Sequence, residues 1–175
     1  RNFEYFSEDP ILAGELAASF IQGVQSMGVG TSLKHFCANS QETRRMTCDS
    51  VVDERALREI YLTAFEIAVK KGKPWTVMNS YNKINGFHGS ENKHTQIEIL
   101  RDEWGFDGIV ISDHGAYEEM ITHGACENKK EAALLAMDAS CDIEMMTSCY
   151  VEHLKELIDE GKVTIEQVDK AVLRI

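Results

Sequence analysis

Residues 105–115, GFDGIVISDHG, decide how this chain is read. They form a turn from Gly105 to Gly108, the run Ile109-Val110-Ile111-Ser112, and then a carboxylate, Asp113. A short unbroken Ile/Val run with glycines ahead of it fits a strand buried on both faces of a parallel sheet. Asp113 then stands at the carboxyl end of that strand, where barrels and doubly wound sheets gather their chemistry. A charge in that position must end in solvent, in an ion pair or in a site. A short acidic side chain can equally serve as a helix N-cap, and this stretch alone leaves both readings open.

Working outward, helices and strands alternate. SEDP at 7–10 starts a helix, with Ser7 or Asp9 as cap and Pro10 in the first turn. Leu12, Leu16, Phe20 and Val24 give it an apolar stripe. A strand is expected over 29–36, a polar loop over 37–52, and a strongly periodic helix over 53–71. A strand over 75–81, a turn at 82–86 and a helix over 93–104 capped by Asn92 lead into the Asp113 strand. Beyond it come a helix over 128–137, a short strand at 141–145, a helix over 150–160, and a last helix opened by a Thr164/Gln167 capping box. Such alternation means a parallel α/β sheet. About four strands do not close a barrel; they make a small open sheet or roughly half of an eight-stranded one.

Composition bounds the function. At 175 residues, 43% hydrophobic and 27% charged, the chain suits one globular domain. A net charge of −11 argues against nucleic acid, which needs clustered Lys and Arg. No apolar run approaches the ~20 residues of a membrane span. Cys37, Cys48, Cys126, Cys141 and Cys149 form no CxxC and no zinc-like spacing with His. They read as free thiols in a reducing, cytoplasmic setting, and no metal or cofactor is expected. The chain opens on Arg1 without a signal-like segment and reads as an excerpt.

The proposed strand ends hold Lys34-His35, the stretch from Met78 to Asn82, Asp113-His114, and Glu144-Met145. Lys and His donate to hydroxyls, Tyr81 orients, and a carboxylate attacks carbon or takes a proton. That mix suits a polyhydroxylated substrate. Each residue also has a duller reading: Lys34 in a surface pair with an acid such as Glu42, His35 as a structural histidine, Tyr81 as packing, Glu144 as structural.

RNFEYFSEDP, KHFCANSQETRR, DERALREIYLTAFEIAVK, VMNSYNKING, ILRDEWGFDGIVISDHG and the DIEM stretch succeed one another along the chain. In that order they resemble the catalytic barrel domain of glycoside hydrolase family 3, in its β-glucosidase/β-xylosidase branch. The resemblance implies a partial (β/α)8 TIM-type barrel. Residues 1–175 would be a single fragment, the C-terminal part of that barrel, with the α/β sandwich domain that carries the acid/base absent. It implies a retaining, exo-acting β-glycosidase of β-glucosidase type, acting at the nonreducing end of a β-linked oligosaccharide or glycoside. By the same resemblance Asp113 matches the nucleophile, and Lys34 and His35 the pair holding sugar hydroxyls. Arg1 matches an arginine that reaches the same sugar, Tyr81 the tyrosine beside the nucleophile, and Met78 a residue lining the pocket. His114 stands where the family usually has a tryptophan platform.

The fragment is expected to be inactive alone, because Glu42, Glu91 and Glu144 have no motif support as the acid. Its unpaired sheet edge predicts self-association, marginal stability, or dependence on missing parts of the parent chain. Two other functions stay open: a sugar-binding module or pseudoenzyme without turnover, and a Schiff-base lyase using Lys34.

Overall fold

The computed structural model describes residues 4–45 and 47–175. In chain order the elements are α1 (Pro10–Gln25), β1 (Ser32–Phe36), β2 (Asp49–Ser50), α2 (residues 54–72), β3 (Thr76–Asn79), β4 (Lys83–Ile84) and β5 (Phe87–His88). They continue with α3 (His94–Glu103), β6 (Ile109–Ile111), α4 (Ala116–Thr122), α5 (Lys129–Asp138), α6 (Cys149–Asp159) and α7 (Ile165–Arg174).

Helix starts follow their capping residues. The Asp9 carboxylate accepts from the N–H of Ile11 at 2.8 Å and of Leu12 at 3.0 Å, and Pro10 follows it. Asp53, Asn92 and Asn128 cap α2, α3 and α5 in the same way, each at 3.0 Å. The Thr164/Gln167 capping box opens α7. Within α2, Leu57–Leu62 and Ala68–Gly72 are wound as π-helix. The extra residue per π turn shifts the phase of the buried face, so Leu57, Leu62 and Phe65 are buried while Ile60 is exposed.

Three strands form the parallel sheet, in the order β1-β3-β6, with Val77 opposite Leu33 and Val110. Val77 and Val110 are fully buried, as an Ile/Val-rich strand under helices should be. The fourth expected strand is reduced to one parallel bridge, Ile111 to Ile143. The reason is local: the Val110 N–H, free to extend the ladder, donates instead to the Asp142 carboxylate at 2.7 Å. In a second small sheet, β2-β4-β5, β2 and β4 lie within stretches read as loop and turn, and β5 follows that turn. Its β4–β5 hairpin turns through Asn85 and Gly86, both at positive φ (51° and 91°), as a tight Asn-Gly hairpin requires.

On α1 the apolar stripe faces outward. Leu12, Leu16 and Phe20 are exposed, whereas Ala13, Gly14, Ala17, Ala18 and Ile21 are buried. Small residues face in because α1 lies close on α2: a Cβ at Gly14 would meet the Ile67 Cβ at 2.7 Å. Helix α4, directly after Asp113, is an element the periodicity did not predict.

Candidate active site

Since β1, β3 and β6 run parallel, their carboxyl ends share one rim. A cavity of ≈ 530 Å³ opens there. Lys34 and His35 from β1, Tyr81 just after β3 and Asp113 just after β6 line it, with Glu4, Glu42 and Arg45.

Asp113 is 7% exposed and held by its own backbone. Its N–H donates to Asn79 Oδ1 at 3.3 Å, and its C=O accepts from Ser112 Oγ at 2.9 Å and from the Ala116 N–H at 3.1 Å. Its Oδ1 accepts from the His114 N–H at 2.7 Å. Among the described residues, none donates to Oδ2 with ordinary hydrogen-bond geometry; His35 Nε2 lies 3.4 Å away. Asp113 is not the cap of α4. That position belongs to Gly115, at φ 72°, whose N–H reaches the Met145 carbonyl at 2.9 Å. The left-handed backbone at Gly115 turns the chain from the rim into α4, and only glycine takes it without strain.

On the β1 side, Lys34 Nζ pairs with Glu4 Oε2 at 3.0 Å, and His35 Nε2 lies 4.0 Å from the same oxygen. The Tyr5 hydroxyl donates to the His35 carbonyl at 3.5 Å. The peptide bonds Lys34–His35 and Phe36–Cys37 are cis, where the register with β3 shifts.

Tyr81 closes the wall opposite. Its hydroxyl donates to the His114 carbonyl at 2.5 Å, and the Arg45 guanidinium lies 4.0 Å above its ring. Arg45 is held by Glu42 at 3.2 Å and by Glu119 at 3.3 Å. Burial, then the charges of Asp113 and Glu119, push the Tyr81 phenol well above its ordinary range, so it stays a protonated donor. Burial likewise raises the Glu119 carboxyl.

The structure thus gathers Lys34, His35, Tyr81 and Asp113 and leaves two sequence candidates aside. Met78 is half-buried on β3 opposite Ile111 and does not line the cavity. His114 is exposed and acts through its backbone, donating to Asp113 and accepting from Tyr81. Arg1 lies outside the described residues. Sequence reasoning missed Glu4, Arg45 and Asn79. Glu4 and Arg45 sit inside quoted motifs, yet nothing local signals that Arg45 stacks on a tyrosine 36 positions later. Glu144 is structural: its carboxylate accepts the N–H groups of Cys149 (2.8 Å) and Tyr150 (2.9 Å) at the start of α6. Glu91 accepts from the His88 N–H at 3.0 Å. Among the described residues no group of three or more His, Cys, Asp or Glu could hold a metal ion, and no helix is long and apolar enough to cross a membrane.

Along its whole length the chain is similar to known proteins. The sequence profile described as "Glycosyl hydrolase family 3 N terminal domain" matches residues 1–175. The thermostable β-glucosidase B of Acetivibrio thermocellus is 51% identical over 177 residues, covering 100% of this chain and 22% of that protein. The exo-α-(1→6)-L-arabinopyranosidase of Bifidobacterium longum is 48% identical over 170 residues, covering 97% and 21%. Among solved structures, β-glucosidase 3B from Thermotoga neapolitana superposes with a TM-score of 0.86 at 48% identity, covering 100% of this chain and 24% of that one. The Listeria innocua β-glucosidase in complex with gluconolactone superposes with a TM-score of 0.91 at 38% identity, covering 98% and 25%. The chain spans about a fifth of the length of the curated relatives it matches.

Proposed function

This chain belongs to glycosyl hydrolase family 3, and from that premise we propose that it supplies the nucleophile and sugar-binding residues of a retaining, exo-acting β-glycosidase of β-glucosidase type. The observation that carries the reading is Asp113: a carboxylate on the cavity rim, with one oxygen held by a backbone N–H and the other 3.4 Å from His35 Nε2, without a hydrogen bond from any described residue.

In this reading Asp113 Oδ2 bonds to C1 of the nonreducing-end sugar while the C1–O bond to the aglycone breaks. The electron pair leaves on the aglycone oxygen, which takes a proton from a second carboxyl group. Water then attacks C1 of the glycosyl ester and gives its proton to the second carboxylate, releasing the sugar with its configuration retained and Asp113 free. Lys34, His35 and the protonated Tyr81 are the donors aimed at hydroxyls and at developing charge. Arg1 and His114 remain candidates for the same sugar, His114 by position beside Asp113, whereas Met78 stands off the cavity.

We assign the proton donor to a carboxyl group outside residues 1–175. Glu4 and Glu42 line the cavity but are already paired, Glu4 with Lys34 at 3.0 Å and Glu42 with Arg45 at 3.2 Å. Glu91 and Glu144 are committed to backbone N–H groups. Residues 1–175 are then one part of a barrel that other segments complete, and by themselves they are expected to self-associate, to be marginally stable or to need those segments. The Bifidobacterium relative favours a second reading of the sugar alone, a pentopyranose handled by the same chemistry.

The test is trapping. The protein carrying this sequence at full length, treated with a 2-deoxy-2-fluoro β-glucoside, is expected to become covalently labelled on the peptide containing Asp113. Binding of the sugar without any label would leave a carbohydrate-binding module in place of an enzyme.

A further inference from the structure

We infer that Asn79 is a positioning residue for the nucleophile: its side-chain oxygen fixes the backbone of Asp113 and so sets where that carboxylate points. The inference rests on the reading of Asp113 as nucleophile and goes beyond it.

Asn79 is the last residue of β3 and has no exposed surface. Its amide orientation follows from a chain of obligatory roles. The Gly89 carbonyl can only accept, and it takes Gln96 Nε2 at 2.8 Å. That leaves Gln96 Oε1 as an acceptor, which Asn79 Nδ2 meets at 3.4 Å, with Cys141 Sγ also 3.4 Å from the same nitrogen. Asn79 Oδ1 is thereby turned toward two donors, Ser90 Oγ at 3.2 Å and the Asp113 N–H at 3.3 Å.

Asp113 lies two residues past the end of β6, beyond the register pairs that join β3 to β6. No strand ladder holds it there. Its N–H is taken by Asn79, and its C=O by Ser112 Oγ and the Ala116 N–H. Ser112 Oγ is itself placed by the Met145 N–H at 2.8 Å. Loss of the Asn79 oxygen frees the tilt of the peptide plane that carries the nucleophile, yet Asn79 does not line the cavity. Displacing a reacting group by about 1 Å costs about 10²-fold in rate.

The experiment uses the full-length protein and three variants. Asn79→Ala removes the accepting oxygen. Asn79→Ser restores a shorter one. Ser90→Ala removes the other donor to the same oxygen and leaves Asp113 bonded. Three quantities are read: the rate constant for labelling by the fluoro-glycoside, the inhibition constant of glucose, and the melting temperature. The expected result is a labelling rate about 10²-fold lower in Asn79→Ala and intermediate in Asn79→Ser. Ser90→Ala is expected to stay within about threefold of the unaltered protein, and glucose binding to stay within about threefold in every variant. Labelling at the unaltered rate in either Asn79 variant would overturn the inference. So would a loss in Ser90→Ala equal to that in Asn79→Ser, or glucose binding that falls in step with labelling, since each marks a merely structural role. Should Asn79→Ala not fold, Asn79→Ser against Ser90→Ala carries the same comparison. Absence of label on Asp113 in the unaltered protein would instead sink the proposed function.

Discussion

Two aspartates flank β6, and the contrast between them separates a structural carboxylate from a reactive one. Asp113 and Asp142 are both 7% exposed. Asp142 has both carboxylate oxygens bonded. Its Oδ2 accepts from the Val110 N–H and from Arg101 Nη2, and its Oδ1 from Arg174 Nη1, each at 2.7 Å. Arg101 in turn bonds the carbonyls of Gly108 (3.1 Å) and Ser140 (2.9 Å), so the ion pair ties the turn before β6 to the segment beside it. Among the described residues, Asp113 has one oxygen answered by one N–H and the other without a hydrogen bond, 3.4 Å from an imidazole nitrogen. Burial alone therefore says little about what a carboxylate does; the unfilled bonding directions say more.

The widest gap between the two should appear on exchange. Asp113→Asn in the full-length protein is expected to lower kcat on the order of 10⁴-fold while stability changes by less than about 1 kcal/mol, read by steady-state kinetics and denaturant titration. Asp142→Ala should do the converse. It strands two guanidinium groups, one of them buried, and is expected to cost about 3–5 kcal/mol of stability with kcat per folded molecule little changed. If both exchanges damaged stability equally, the contrast would dissolve.

A third buried polar group tests the rim from behind. His88 Nδ1 lies 3.3 Å from the Tyr81 carbonyl and 3.2 Å from His123 Nδ1, with Lys83 and Asp49 among the charges around it. Burial pulls the His88 pKa down to about 4, and burial lowers His123 as well. Below its ordinary value of 6.5 the unfolded chain takes up a proton that the folded one refuses, so stability is full above pH 6.5 and falls as the pH drops toward 4. Between pH 7 and pH 5 the loss from His88 is expected to be about 2 kcal/mol, and His88→Gln should flatten that slope in urea melts. The smallest effect is expected at the surface. Arg58 grips Glu103 with two bonds, at 2.6 and 2.8 Å, yet both side chains are well exposed. Glu103→Gln should cost less than about 1 kcal/mol, well short of Asp142→Ala, if burial sets the worth of an ion pair.

Much of this architecture was legible in the sequence because capping is local. Asp9-Pro10, Asp53, Asn92, Asn128 and Thr164/Gln167 mark helix starts within four residues of the bonds they make. The Asp113 strand was legible because an Ile/Val run between glycines has few other readings. Less visible were features set by distant partners. Leu12, Leu16 and Phe20 carry the right period for a core stripe, but the close approach of α2 selects the opposite face, with Gly14 and the alanines. Strands of two residues, such as β2 and β4, offer no periodicity at all. Helix α4 starts from a left-handed glycine without a side-chain cap, so it lacks the usual mark of a beginning. In the site, Asp113, Lys34, His35 and Tyr81 were reachable from strand-end position and motif. Arg45 and Asn79 were not, because a stacked ring and a shared amide oxygen join segments that are more than thirty residues apart.

Gly115 carries a consequence for how the protein tolerates change. A Cβ added there would meet nothing within 4 Å, so crowding does not forbid a larger residue; the backbone angle does. In a saturation library sorted for turnover, position 115 should therefore tolerate asparagine best among replacements and branched residues worst, whatever their size. A site two residues away from the chemistry would be policed by a torsion angle alone.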